Sequence, residues 1–343
     1  MKIVLLFSLI VLAGCANILP LSGGDKDLTP PALLSVSPKN SSVLFNSNTI
    51  IFEFDEAISI DPSQNLLISP VLNTNINSKV NRNKLILTLE ETLKENTTYS
   101  ISLNNYIKDV NEGNVLEKLN YKFSTGTKLD TLYIRGQVLD AISKQNESNI
   151  LLKLFSTNSE DSMLFNSKAD YLSKSNSNGA FEFSALPSNN YYLFAIEDLD
   201  NNYWFSIPNE RVGFISKLVS PSVDSLNVFI FDETKKVDSI FVMKQDSSIT
   251  GFGKLIINNV PENSITQVLL NDTIIYSSNQ TSSSMDSLVP GSYTLRLIDD
   301  HNENGQWDTG NLKLRQQAEN IEYYTKEVKV RADWDIIIDW RSK

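Results

Sequence analysis

From Pro30 onward the chain alternates apolar and polar residues and interrupts the alternation with clusters of Asn, Ser, Asp and Gly. Ile50, Phe52 and Phe54 fall on one side of an extended chain, with Ile51, Glu53 and Asp55 on the other. Leu85, Leu87 and Leu89 repeat the pattern, as do Tyr99, Ile101 and Leu103. Strand side chains point to opposite faces with period two, so such runs predict half-buried antiparallel strands. No long stretch carries the helical period. Short strands about 8–12 residues apart, separated by turn signals, build sandwiches. The expected fold class is all-β.

A length of 343 residues predicts two or three domains, at roughly 100–200 residues each. With 41% hydrophobic and 21% charged residues the chain can bury a core. Lys and Arg total 30 against 41 Asp and Glu, a formal net charge of −11, which repels phosphate backbones and excludes nucleic acid as a partner. One histidine (His301) and one cysteine (Cys15) leave too few ligands for a Cys/His zinc site and none for a disulfide framework.

Cys15 explains itself by position. Residues 1–14 read as Lys2, then the apolar run Ile3–Leu12, then small residues. That run is too short to span a bilayer, which takes about 20 residues, so it predicts a secretory signal. Leu12-Ala13-Gly14-Cys15 resembles the bacterial lipobox. The resemblance implies cleavage before Cys15, diacylation of its thiol (palmitate among the usual chains) and acylation of the new N-terminus. Several acyl chains give stable anchoring to a membrane. The alternative is a plain signal peptide with an incidental cysteine. Ala16, where an inner-membrane retention signal has Asp, points to the outer membrane, with the periplasmic or surface-facing side left open. Residues 15–29, with Ser22-Gly23-Gly24-Asp25-Lys26-Asp27, are expected to be a lipidated flexible tether.

Three units follow. Residues 30–127 contain Pro31, Pro38, Ile50–Phe54 running into Asp55-Glu56-Ala57-Ile58, Leu93–Tyr99, Ile107-Lys108-Asp109 with Gly113-Asn114, and Phe123-Ser124-Thr125-Gly126. This series resembles the bacterial Ig-like domain of S-layer proteins and envelope lipoproteins, which implies a spacer or recognition module without catalysis. Residues 130–220 contain Gly136–Ala141, the Asn-rich turn Ser175–Gly179 before Ala180–Phe183, Leu186-Pro187 and Tyr191-Tyr192-Leu193. They resemble the carboxypeptidase-regulatory-like (prealbumin-like) sandwich, again implying binding or spacing. Residues 223–343 form the third unit, expected to close with strands in Lys326–Val330 and Trp334–Trp340. The whole reads as tandem Ig-like and prealbumin-like β-sandwiches on a lipidated tether.

An internal repeat links the last two units. A shift of 102 places Tyr191 on Tyr293, Leu193 on Leu295, Ile196 on Ile298, Asp198 on Asp300, Asp200 on Asn302 and Asn202 on Asn304. Each copy runs as a strand and empties into an acidic loop. In the second loop Asp300, Asn302, Asn304 and Asp308 supply side-chain oxygens at positions 1, 3, 5 and 9, Gly305 stands at 6, and the Gln306 carbonyl at 7. Calcium takes six to eight hard oxygens, and this spacing wraps them round one point. It resembles the EF-hand loop without its flanking helices. Leu312 stands downstream where a bidentate acid is wanted, and Glu319 is the substitute. The alternative is a hairpin loop whose Asx side chains bond only backbone. The Asp198, Asp200, Asn202 loop is the poorer candidate, with Tyr203 for the glycine and Ser206 for the distal acid.

His301 has no nucleophile elbow to serve and reads as a solvent-facing loop residue. Six Asp-Ser/Thr-apolar triplets, beginning at Asp130, Asp161, Asp224, Asp238, Asp272 and Asp286, resemble an O-glycosylation acceptor of Gram-negative envelopes. They are equally the way a turn enters a strand. Loop aromatics Tyr203, Trp204 and Trp307 either anchor a partner or pack beneath their own loops. The expected function is noncatalytic: a lipid-anchored envelope protein presenting β-sandwiches to a protein or glycan. The alternative is a calcium-supported secreted hydrolase acting on envelope or extracellular polymers, which would show two carboxylates about 5–9.5 Å apart in a cleft.

Overall fold

The computed structural model describes residues 26–64, 66–156, 168–206, 208–235 and 251–340. Every regular element among them is a strand, as the period-two patterning requires. The signal segment, Cys15, and the triplets at Asp161 and Asp238 lie outside the described residues.

The first unit holds β1 (Leu33–Ser37), β2 (Thr49–Phe54), β3 (Ile58–Ile60), β4 (Leu67–Ser69), β5 (Asn77–Asn81), β6 (Lys84–Thr88), β7 (Thr98–Ser102), β8 (Ile107–Asp109) and β9 (Asn120–Ser124). Sheets β1-β2-β6-β5 and β4-β7-β9 are joined by the pair β3-β8. Ile50, Phe52, Phe54, Leu85 and Leu87 pack with Tyr99, Ile101, Tyr121 and Phe123, so the alternating residues of both sheets make one core. The buried Asp109 carboxylate accepts the backbone amides of Glu112, Gly113 and Asn114 at 2.6–2.9 Å, closing a turn in which Gly113 takes a φ of 79°. Asn114 Nδ2 in turn donates to the carbonyls of Asp27 and Thr29 at 3.2 and 3.1 Å. The expected tether at 15–29 is therefore corrected at its end, because Asp27 and Thr29 dock onto the folded unit.

The second unit holds β10 (Leu132–Asp140), β11 (Leu151–Ser156), β12 (Tyr171–Lys174), β13 (Ala180–Leu186), β14 (Tyr191–Ile196), β15 (Val212–Phe214) and β16 (Val223–Phe231). They form one sheet in the order β12-β11-β14-β15-β16-β10-β13. Its two outer strands are consecutive in sequence, turned by Asn176–Gly179, and Ser173 Oγ on β12 donates to the Glu182 carbonyl on β13 at 2.7 Å. The sheet thus folds back on itself around Ile134, Val138, Leu152, Leu154, Phe181, Leu193, Val228 and Ile230. β16 runs parallel to β10, and a Cβ on Gly136 would stand 2.0 Å from the Leu226 carbonyl oxygen, so glycine is what lets the two strands meet. This pairing corrects the expected boundary at 220–223. Val223–Phe231 belongs to the second unit, because its ladder partners β10 and β15 are there.

The third unit holds β17 (Gly253–Asn258), β18 (Ser264–Leu270), β19 (Thr273–Ser278), β20 (Ser283–Leu288), β21 (Gly291–Asp299), β22 (Ile321–Tyr323), β23 (Val328–Val330) and β24 (Asp335–Asp339). Its sheets are β20-β17-β24 and β19-β18-β21-β22, with β23 on β21. The plan repeats that of the second unit, down to the parallel pair, β17 with β24. The Tyr191 hydroxyl donates to the Pro187 carbonyl and that of Tyr293 to the Val289 carbonyl, both four residues upstream. One joint differs. β15 bridges to β16, whereas among the described residues no ladder joins β22 to β24, leaving two sheets.

The units are fused by packing. Phe155, Phe194, Val212, Phe214 and Phe231, on the outer face of the second sheet, share a buried cluster with Ile265, Ile298, Trp307, Leu312 and Ile321 of the third. β11 and β14 are therefore buried on both faces, where the alternation predicts one. First and second units meet through β4 and β12. Ser69 Oγ exchanges hydrogen bonds with the backbone of Leu172 at 2.8 and 3.1 Å, and Val71 donates its amide to the Asp170 carbonyl.

Candidate functional site

The two acidic loops leave the ends of β14 and β21 on one hydrogen-bond frame. In the first, Asp198 accepts the amides of Asn202 and Tyr203, Asp200 that of Asn202, and Asn202 that of Trp204. In the second, Asp300 accepts the amides of Asn304 and Gly305, Asn302 that of Asn304, and Asn304 that of Gln306. Short Asx side chains bond their own downstream backbone in this way, and alternate Asx residues wind the chain inward. Position 6 needs a left-handed backbone, which Gly305 adopts at φ 76° and Tyr203 adopts at φ 66°.

Each loop is closed by a glutamate from beyond it. Glu210 takes the Leu199 amide on one oxygen and the Ser206 amide on the other, at 3.0 and 2.9 Å. Glu319 takes the amides of His301 and Asp308 at 2.9 and 3.0 Å. Both are buried, at 4% and 6% exposure. Glu319 was foreseen as a substitute ligand. Glu210 escapes the sequence reading, which puts Ser206 at the place of the distal acid; an acid twelve residues after Asp198 is the available signal.

The sequence ranks the Asp300 loop first, yet the carboxylates converge in the Asp198 loop. Asp198, Asp200 and Glu210 each bring a carboxylate oxygen within 4.8 Å of the others, the only such metal-compatible group among the described residues. In the Asp300 loop the side-chain amides of Asn302 and Asn304 both donate to Asp308 Oδ2, and Gln306 contributes a backbone amide while its side chain is exposed. Burial pushes the carboxyls of Asp198 and Glu210 above the ordinary range, and their negative neighbours add to it. Burial raises Glu319 likewise. Gathered, partly desolvated carboxylates with no ion pair among the described residues are what a hard divalent cation stabilises.

His301 is exposed, with Nδ1 2.9 Å from the Asp299 carbonyl, in keeping with a loop residue. Trp307 packs beneath its own loop: it is 3% exposed and its indole N–H donates to the Glu319 carbonyl at 2.9 Å. Thr131, Ser225, Thr273 and Ser287 of the Asp-Ser/Thr-apolar triplets are exposed.

Lys153, on β11, was unremarked in sequence because a charged residue in an alternating strand reads as solvent-facing. It is 1% exposed. Its ammonium donates to the Tyr203 carbonyl at 2.8 Å and stands 5.4 and 5.1 Å from the ring centroids of Phe155 and Trp204. Burial lowers its pKa to about 8, against the pull of Asp198. It lines a cavity of about 200 Å³ between the first and second units, with Ile68, Leu72, Ile76, Leu172 and Trp204.

Comparison with known proteins identifies one segment. Residues 27–125 match the bacterial Ig-like domain family, beginning at the docked Asp27. No curated protein matches the chain. Among solved structures, the N-terminal part of the bacterial S-layer protein SbsC is 14% identical, covering 60% of this chain and 44% of its own, with a TM-score of 0.21. GBS52, the minor pilin of Streptococcus agalactiae, is 14% identical over 60% of this chain and 93% of its own, at 0.20. Fervidolysin from Fervidobacterium pennivorans, a keratinolytic enzyme related to subtilisin, is 13% identical over 55% and 28%, at 0.22. Scores this low bear on neither fold nor function. The N-terminal third of this all-β chain is similar to a bacterial Ig-like domain.

Proposed function

We propose that this is a noncatalytic cell-envelope protein, anchored by lipid on Cys15, whose stacked β-units present loops to a protein or glycan partner. The family match of residues 27–125 carries the reading, since such modules act as spacers and recognition surfaces. Two further observations support it. The second and third units share a buried core, a continuous packing that suits a spacer. The junction cavity is lined by no Asp or Glu, so the carboxylate pair of a glycoside hydrolase is not at its wall.

The acidic loops fit a structural role for calcium. Asp198, Asp200, Asn202 and Glu210 would hold one ion, and Asp300, Asn302, Asn304, Asp308 and Glu319 another, locking the loop ends of β14 and β21. Ala16 beside the anchor supports outer-membrane placement.

The anchor is tested by expressing the chain and its Cys15→Ser variant in a Gram-negative host with labelled palmitate. The expected result is label and detergent-dependent solubility for the parent, and neither for the variant. Equal fractionation of the two chains would remove the anchor from the proposal. Capture from native envelopes tests the partner class.

A further inference from the structure

The cavity at the junction of the first and second units runs against the charge of the whole molecule. The chain carries 41 acidic and 30 basic residues, yet the cavity is lined by two lysines, Lys153 and Lys168, and by no acid. Lys168 is exposed at the rim, whereas Lys153 is buried. Its ammonium has three donors, of which one is given to the Tyr203 carbonyl, and among the described residues no carboxylate lies within ion-pair distance of it. The negative influence on it is Asp198, which accepts the N–H of the same Tyr203 whose carbonyl takes the ammonium. Glu91 ties the rim loop from outside by accepting the amides of Asn73 and Thr74 and does not line the cavity. A buried cation with unspent donors is a poor element of a fold unless an anion completes it.

We propose that this cavity binds a small monocarboxylate with a compact apolar body, its carboxylate seated on Lys153 and its body against Ile68, Leu72, Ile76 and Trp204. A single negative charge matches the single buried ammonium. A dianionic phosphate would want the fork of an arginine or several backbone amides, and no arginine lines the space. At about 200 Å³ the cavity is smaller than the roughly 300–1,000 Å³ of drug-sized sites, so the occupant is a small acid or one terminal group of a larger partner. Ile68, Leu72, Ile76 and Leu172 give one aliphatic wall for an apolar body, and Asn73, Thr74, Asn75 and Asn202 line the polar remainder. The inference rests on reading the chain as a binding protein, but its failure would leave the Cys15 and envelope-capture experiments untouched.

The test is titration calorimetry of the full chain with N-acetyl-leucine, its uncharged amide, and glucuronate. The acid is expected to bind about tenfold or more tightly than the amide, as a charged hydrogen bond should contribute, and more tightly than glucuronate. Lys153→Met should bring acid and amide level. Asn75→Trp, an exposed rim substitution, should weaken the acid with the melting temperature unchanged. The proposal is overturned if acid and amide bind wild type alike, if neither binds at about millimolar concentration, or if the acid binds Lys153→Met undiminished. Preference for glucuronate would overturn the apolar body. The comparison of acid with amide on wild type needs no variant and decides the matter even if Lys153→Met fails to fold.

Discussion

The loops after β14 and β21 have the same backbone and different charges. Both wind on Asx turns, both place a left-handed residue sixth, and both are closed by a buried glutamate taking two amides. In the first, Asp200 stands where the second has Asn302, and three carboxylates converge. In the second, Asn302 and Asn304 turn their amide nitrogens onto Asp308. The backbone frame is set by the repeat, while the charge it encloses is set by a few side chains.

The largest expected effect concerns what lies beneath the loops. Trp307 and Phe205, related by the shift of 102, are both in the cluster joining the second and third units. Trp307→Ala should lower stability by about 3–5 kcal/mol, and by more than Phe205→Ala because the bond to the Glu319 carbonyl is lost as well. Denaturant unfolding measures both. A smaller loss for Trp307→Ala would show that the second loop does not depend on its indole as the geometry indicates.

Calcium comes next. At about a hundred times its Kd a ligand of the folded state adds about 2.7 kcal/mol, visible as a melting shift reversed by chelator. Glu210→Gln should remove more of that gain than Glu319→Gln if converging carboxylates decide affinity. The opposite order would restore the Asp300 loop as the stronger site, and no shift in wild type would make both loops purely Asx-bonded.

The pH dependence is smaller and tests the first loop without metal. Asp198 and Glu210 are raised above their unfolded values, chiefly by burial, so the folded state holds more protons between the two values. Their contribution to unfolding free energy therefore falls as pH rises from about 4 through the raised folded values, and is restored as pH falls back. Glu210→Gln removes its share. Wild type should lose ground to the variant as pH rises above the ordinary glutamate value of about 4.5, and calcium should abolish the difference. A gap independent of pH would mean that Glu210 acts only as a hydrogen-bond acceptor. The smallest effect is expected from Gly305→Ala. Its φ is 76° and a Cβ there meets nothing within 4 Å, so the loss of about 1 kcal/mol is conformational alone. Tyr203→Gly at the matching position gains that relief and forfeits the packing of a half-buried ring.

Much of this was legible in the residues. The alternation at Ile50–Phe54 and Leu85–Leu89 marked strands, and the pairing of Tyr191 with Tyr293 marked a repeated unit. The Asx spacing after Asp198 and Asp300 marked both loops. The boundary at Val223 was misplaced because a parallel partner, β10, lies about ninety residues upstream and leaves no local trace. Trp307 could be narrowed only to two roles, since the pattern of a loop does not say whether an aromatic ring faces solvent or the sheet below.

The sequence by itself determined the β class, the places where strands end and the positions of the acidic loops, because period two and turn chemistry act within a few residues. Only the tertiary structure decided that Glu210 joins Asp198 and Asp200, that β11 and β14 are covered on both faces, and that Lys153 is buried beside a cavity without acids. Those facts depend on which surfaces meet, and burial, repulsion and charge compensation are properties of that meeting rather than of any local run of residues.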